Sequence, residues 1–212
     1  MLPFTREQFF AIFVEYNTQV WPVQVVAYLL GMGVVALLLR PSRSAGRVIA
    51  GAAGAMWVWT GIAYHAIHFS TIDRAAYIFA ALFVVQGVLL LYFGVARDRF
   101  RFDARAGIAR TLAWALMGYA MLIYPLIGLW SGHRLRELPI FGITPCPVTL
   151  FTFGLLLLAA PPLPWWLLAI PIVFLVEGWV FVLLEPELAR GSADYSRNYR
   201  LIEKLRHGSM AA

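Results

Sequence analysis

The side chains best suited to chemistry in this chain are two histidines three residues apart, His65 and His68, and its single cysteine, Cys146. Neutral imidazole and thiolate hold soft and borderline metal ions, and His133, in a polar loop, is a third imidazole that a fold can add to them. Pro145 and Pro147 bracket Cys146 and free nearby backbone carbonyls, while Thr144 and Thr149 add hydroxyl oxygens at the same turn. His65, His68, His133 and Cys146 are therefore the candidate ligands of a soft divalent or monovalent metal ion. The plain alternative gives them ordinary roles: histidines that hydrogen-bond neighbouring carbonyls, and a cysteine that is a small buried residue. Glu177 sits inside an apolar stretch, where a carboxylate serves as a proton or cation site or closes a salt bridge. Tyr64, Gln86 and Asn17 complete the polar side chains within or beside apolar segments. No nucleophile triad, phosphate loop, HExxH or dinucleotide fingerprint is present, so an enzyme is not expected. A haem or redox protein with His65 or His68 as axial ligand is the remaining catalytic reading.

These groups need elements to carry them. Residues 57–69, WVWTGIAYHAIHF, read as helix with Trp57, Thr60, Gly61, Tyr64, His65 and His68 on one face. Val58, Ile62, Ala66, Ile67 and Phe69 fall largely on the other. The polar face predicts contact with other helices or a wet cavity, the apolar face contact with lipid. With 61% hydrophobic and 13% charged residues among 212, and a mean hydropathy of +0.75, the chain is expected to be an integral membrane protein; soluble domains average roughly 25% charged residues. Its apolar blocks are long enough for a hydrocarbon core about 30 Å thick.

The fold class expected is all-α: a polytopic transmembrane bundle of about six spans behind an N-terminal interfacial helix. That first helix starts at Thr5, in a capping box with Gln8 and a hydrophobic staple of Phe4 on Phe9. The spans follow at about 20–39, 48–69, 75–95, 111–129, 143–160 and 165–184, in one domain over 1–184, and a polar, basic tail occupies 185–212. The fifth span is short, roughly 27 Å if helical from its Pro-rich start. Five spans plus a re-entrant hairpin over 143–160 is the alternative. Residues 50–55 are nearly all glycine and alanine, so Gly51 and Gly54 are expected to face a neighbouring helix.

The net charge of +6 rests on 17 Lys and Arg, which flank apolar spans where anionic headgroups account for them. The lipid bilayer, not nucleic acid, is the expected partner. Six spans put the N-terminus, the Ser70 and His133 loops and the tail on one side, and the loops at Arg40 to Arg47 and Arg97 to Arg110 on the other. Basic residues divide nine to eight, but four to eight with the tail set aside, which makes the second side cytoplasmic. The re-entrant alternative gives the same orientation. In either case His65, His68, Asn17, His133, Thr144 and Cys146 gather at one end, the convergence that a binding or transport site requires. One cysteine excludes an intrachain disulfide, and no repeat of fixed period appears.

The segments LPFTREQFF, YNTQVWP, WTGIAYH, GHRL and above all FGITPCPVTLFTFGLLLLA resemble the bacterial integral membrane proteins grouped as the domain-of-unknown-function 6064 family. The likeness covers roughly residues 1 to 184. It implies a small multi-pass protein of the bacterial cytoplasmic membrane and carries no functional residues over; the charged tail from Glu185 departs from the apolar ending expected of it. Two functions stand level. One is transport or binding of a small solute or soft metal at the polar end. The other is a non-catalytic membrane scaffold or assembly protein whose polar groups join helices, and a homo-oligomer suits either.

Overall fold

In a computed structural model of the chain the described residues are 4–40, 42, 44–102, 107–160 and 164–175. Thr5 begins the first helix as its neighbours require. Its hydroxyl accepts from the Gln8 N–H at 3.2 Å, the Gln8 side chain accepts from the Thr5 N–H at 2.8 Å, and Phe4 stacks on Phe9 with ring centroids 6.0 Å apart. The helix α1 spans Arg6–Gln19, and α2, Val23–Leu39, leaves it at 84°. α1 thus lies crosswise to α2, the orientation expected of a helix along a membrane surface.

α3, Ala45–Trp59, runs directly into a π-helical stretch, Thr60–His68, and a 3₁₀ turn, Phe69–Thr71. α4, Ala76–Leu90, also ends in π geometry, over Leu91–Ala96. α5, Ile108–Gly118, passes through a third π stretch, Tyr119–Ile123, into α6, Tyr124–Trp130. The last of these has a visible cause. Pro125 has no N–H to offer the Met121 carbonyl one turn back, and the Tyr28 hydroxyl of α2 donates to that carbonyl at 3.0 Å instead. α7, Pro145–Leu158, and α8, Trp166–Leu175, complete the described helices. Among the described residues there is no strand, only an isolated bridge between Phe102 and Ala159.

α3 is the central element, touching α2, α4 and α7. Small residues bring its backbone close to α4. A Cβ on Gly54 would stand 3.0 Å from the Gly87 carbonyl oxygen, and one on Gly87 would stand 2.8 Å from that of Gly54. Gly51 meets only Val95, at an ordinary 3.8 Å, so of the two glycines expected at a crossing Gly54 is the one that must be small. Trp57, fully buried, ties three helices: its ring packs 4.3 Å from Phe83 of α4, and its indole N–H donates to Thr152 of α7 at 2.7 Å.

The bundle has two distinguishable ends. At the arginine end the 97–102 segment folds over the start of α3, where Gly46 leaves room for the Phe100 carbonyl, and the Ala160 N–H donates to Arg101 at 2.7 Å. At the histidine end the Tyr16 hydroxyl of α1 donates to the Ile143 carbonyl at 2.8 Å. Residues 143–160 therefore run from one end to the other and do not turn back as a hairpin.

Two runs, Ala76–Ala96 and Ile108–Trp130, are long and apolar enough to cross a membrane, or three if the bent pair of α1 and α2 is one span. That is fewer than the six expected. α2 and α7 have 17 and 14 residues, and α7 is roughly 21 Å long at 1.5 Å per residue. The helical run over 45–68 has the length, but glycine, threonine, tyrosine and two histidines dilute its apolar character. The described part of α8 stops at Leu175, so the second part of the sixth expected span, from residue 176, lies outside the described residues, as do Glu177 and the 185–212 tail.

Candidate functional site

The polar face expected on residues 57–69 is buried throughout: Trp57, Thr60, Gly61, Tyr64, His65 and His68 are all shielded. On the opposite face Ile62 and Ile67 are 48% and 59% exposed. Phe69 is the exception. It is buried because the helix tightens to 3₁₀ geometry there and turns the ring onto Phe4 and Phe9, at 5.5 and 6.2 Å.

Consecutive side chains of this stretch point to different neighbours. His68 faces α1: Nδ1 donates to the Ala63 carbonyl at 2.7 Å, and Nε2 lies 3.2 Å from Gln19 Oε1. Gln19 is oriented by Glu15, whose carboxylate accepts from its amide at 2.9 Å. Tyr64 stacks on Phe13 of α1 at 5.5 Å and meets Tyr16 edge-on at 5.4 Å. Tyr16 in turn accepts from the Trp59 indole at 2.9 Å. Cys146, half-buried at the start of α7, lies within hydrogen-bonding reach of the Tyr124 hydroxyl of α6, with Tyr64 and Tyr119 close by.

His65 points elsewhere, between α4 and α8. Its ring is 3% exposed and stands 4.9 Å from Phe83, 5.8 Å from Phe79 and 6.1 Å from Phe174, centroid to centroid. Tyr64 and Phe69 close the cage at 5.1 and 6.2 Å. Among the described residues neither imidazole nitrogen has a hydrogen-bond partner. Leaving a buried donor or acceptor unmatched costs about 1–3 kcal/mol per group, and such groups in folded proteins call for a reason. The neighbouring Thr60 hydroxyl is also buried and unmatched.

The remaining polar candidates serve as ties between chain segments. Asn17 donates to the Arg136 and Leu138 carbonyls at 2.8 and 2.9 Å, pinning the His133 loop on α1. Gln86, fully buried in α4, donates to the Leu167 carbonyl at 3.0 Å. His133 stacks on Phe10 at 4.6 Å, and its Nδ1 lies 3.4 Å from Glu137. The Arg134 N–H, with His133 beside it, holds the Glu137 carboxyl below the usual carboxylate range.

The four candidate metal ligands therefore face four surroundings: His65 the α4 and α8 aromatics, His68 Gln19, His133 Phe10, and Cys146 Tyr124. Among the described residues no group of three or more His, Cys, Asp or Glu side chains is placed to hold a metal ion. The residues that sequence reasoning missed are the cage-formers Phe79, Phe83 and Phe174 and the hub Tyr16. Phe79 and Phe83 carry a faint signal, one aromatic four residues after another on α4; Phe174 carries none, since only the path of α8 brings it there. A family model described as a family of unknown function, DUF6064, matches residues 6–185. No curated protein and no solved structure matches the chain.

Proposed function

Because the chain belongs to the DUF6064 family, whose description names no activity, we propose from its geometry that it is a multi-pass membrane protein that binds a small, neutral, hydrogen-bonding solute at His65. The observation that carries the reading is the caged imidazole with two unmatched nitrogens. A solute that donates to one nitrogen and accepts from the other relieves that cost, and the five aromatic rings around His65 supply no counter-charge, which suits an uncharged molecule.

Membrane residence is supported by the two long apolar runs and by outward faces rich in large hydrocarbon side chains, such as Leu29, Ile78 and Leu122, each more than half exposed. Water does not tolerate so much contiguous apolar surface, whereas lipid matches it. Charged residues are absent from α2, from Ala76–Ala96 and from α7. On this reading the shorter helices also cross, giving about six passes, and the basic count of four to eight with the tail set aside supports a cytoplasmic arginine end.

The scaffold reading has its own support. Tyr16, Asn17, Gln24, Tyr28 and Gln86 all donate to backbone carbonyls of other segments, which joins them and does no chemistry. Substitution of His65 by Phe separates the two. The solute reading expects His65→Phe to raise the melting temperature of the purified protein, since an apolar ring of similar shape removes the unmatched groups. It also expects at least one member of a panel of small alcohols, amides and ureas to stabilise the parent and not the variant. A destabilised His65→Phe chain, or a panel acting equally on both, refutes solute binding at His65.

A further inference from the structure

A narrow slot runs along the outside of the bundle between α2 and α3, and we propose that it holds an acyl chain of an anionic phospholipid whose headgroup is bound by Arg40 and Arg47. The proposal rests on the membrane reading above. The slot has a volume of about 240 Å³ and is lined by Val26, Leu29, Leu30, Gly33 and Leu37 of α2 and Val48 of α3. These residues present hydrocarbon only. From Val26 to Leu37 the slot follows α2 for roughly 16 Å at 1.5 Å per residue, a run suited to one extended alkyl chain. Gly33 keeps it open: nothing lies within 4 Å of the position its Cβ would take.

Charge selects the headgroup. The slot reaches the arginine end of the bundle, where Leu37 lies one turn before Arg40, the residue that ends α2, and Val48 directly follows Arg47 in the first turn of α3. Both arginines are exposed. Among the described residues the carboxylate at Arg47 is Asp98, shared between Arg47 at 3.1 Å and Arg101 at 2.9 Å, so the two arginines outnumber it. No side chain caps the start of α3, but the Ala45 N–H donates to the Ser42 carbonyl and those of Arg47 and Val48 to the Ser44 carbonyl, so recognition of a headgroup falls to the guanidinium groups. A phosphodiester placed there meets the two arginines while its tail fills the slot.

The test is native mass spectrometry of the full-length chain in detergent, titrated with phosphatidylglycerol or with phosphatidylcholine of the same acyl chains. Phosphatidylglycerol should be retained in preference, by roughly 30-fold if each arginine contributes as a basic residue at a membrane surface does. Arg40→Gln together with Arg47→Gln should bring the two lipids level. Gly33→Leu, which extends into open space and so leaves the fold intact, should lower retention of both. Equal retention by the parent, or a preference that survives loss of both arginines, overturns the proposal. So does a Gly33→Leu chain that keeps both lipids but loses a dimer mass, which would give the slot to a second copy. Alkaline extraction of membranes separates the two readings: a chain that resists extraction yet shows no lipid preference refutes the slot alone, and a chain released by it refutes membrane residence.

Discussion

Gly87→Ala and Gly33→Ala place the same methyl group on two apolar helices and should move stability in opposite directions. At Gly87 the new Cβ would lie 2.6 Å from Val58 Cγ2, 2.8 Å from the Gly54 carbonyl oxygen and 3.0 Å from the Val58 nitrogen. Two of these neighbours are backbone atoms of α3, which cannot swing aside, so α3 and α4 must separate. Overpacking of this kind costs about 1–3 kcal/mol, and rigid neighbours put it toward the upper part. Alanine returns about 1 kcal/mol of helix propensity over glycine. The net expectation at Gly87 is a loss of about 1–2 kcal/mol, and at Gly33, which meets nothing, a gain of about 1 kcal/mol. Equilibrium unfolding of the two variants in mixed micelles, followed by helical circular dichroism, should separate them by about 2–3 kcal/mol. A Gly87→Ala protein as stable as the parent would mean that the close crossing of α3 and α4 does not hold the bundle.

Thr5→Ala removes the acceptor for the Gln8 N–H and should cost about 0.5–2 kcal/mol, read from the same unfolding curves; no change would place the start of α1 elsewhere. A double-mutant cycle of Trp57→Phe and Thr152→Val should show a coupling of about 0.5–1.5 kcal/mol from their shared hydrogen bond, and strict additivity would deny it. Asp98 is held below the ordinary carboxylate range, first by its hydrogen bond from Arg101 and then by the charges of Arg101 and Arg47. Its contribution is thus present above the unfolded-state value and is lost as pH falls through the lowered folded-state value. Asp98→Asn should therefore lower stability slightly at neutral pH and leave low pH unchanged, so that the acid limb flattens; an unaltered acid limb contradicts the pairing.

Local rules carried the reading where the partners are close in sequence. Thr5, Gln8, Phe4 and Phe9 lie within one turn of each other, and the cap and staple form as the spacing requires. The buried face of residues 57–68 was legible because helical periodicity sorts side chains before any partner is known. Partner identity was not. His65 and His68 share that face, yet one meets α4 and α8 and the other α1, because neighbouring directions on a face diverge once three helices surround it. The neighbour of Cys146 is Tyr124, a residue of α6 that no local spacing in the sequence pairs with it. The span count came out lower because hydropathy blocks measure composition, whereas 14 helical residues in α7 already join the two ends of the bundle.

The crosswise seating of α1 fixes an order of assembly. Tyr16 is joined to Ile143 across 127 positions and Asn17 to Leu138 across 121. Synthesis delivers the N-terminal segment first, but neither acceptor exists until more than half of the chain has followed, and long loops close slowly. Until then α1 can keep its own cap and staple, which need only residues 4–9, and can meet Tyr64 and Phe69, while the hydrogen bonds of Tyr16 and Asn17 to the later carbonyls stay unmade. Chains halted before residue 131 would leave Phe13, Tyr16 and Asn17 without the loop that covers them.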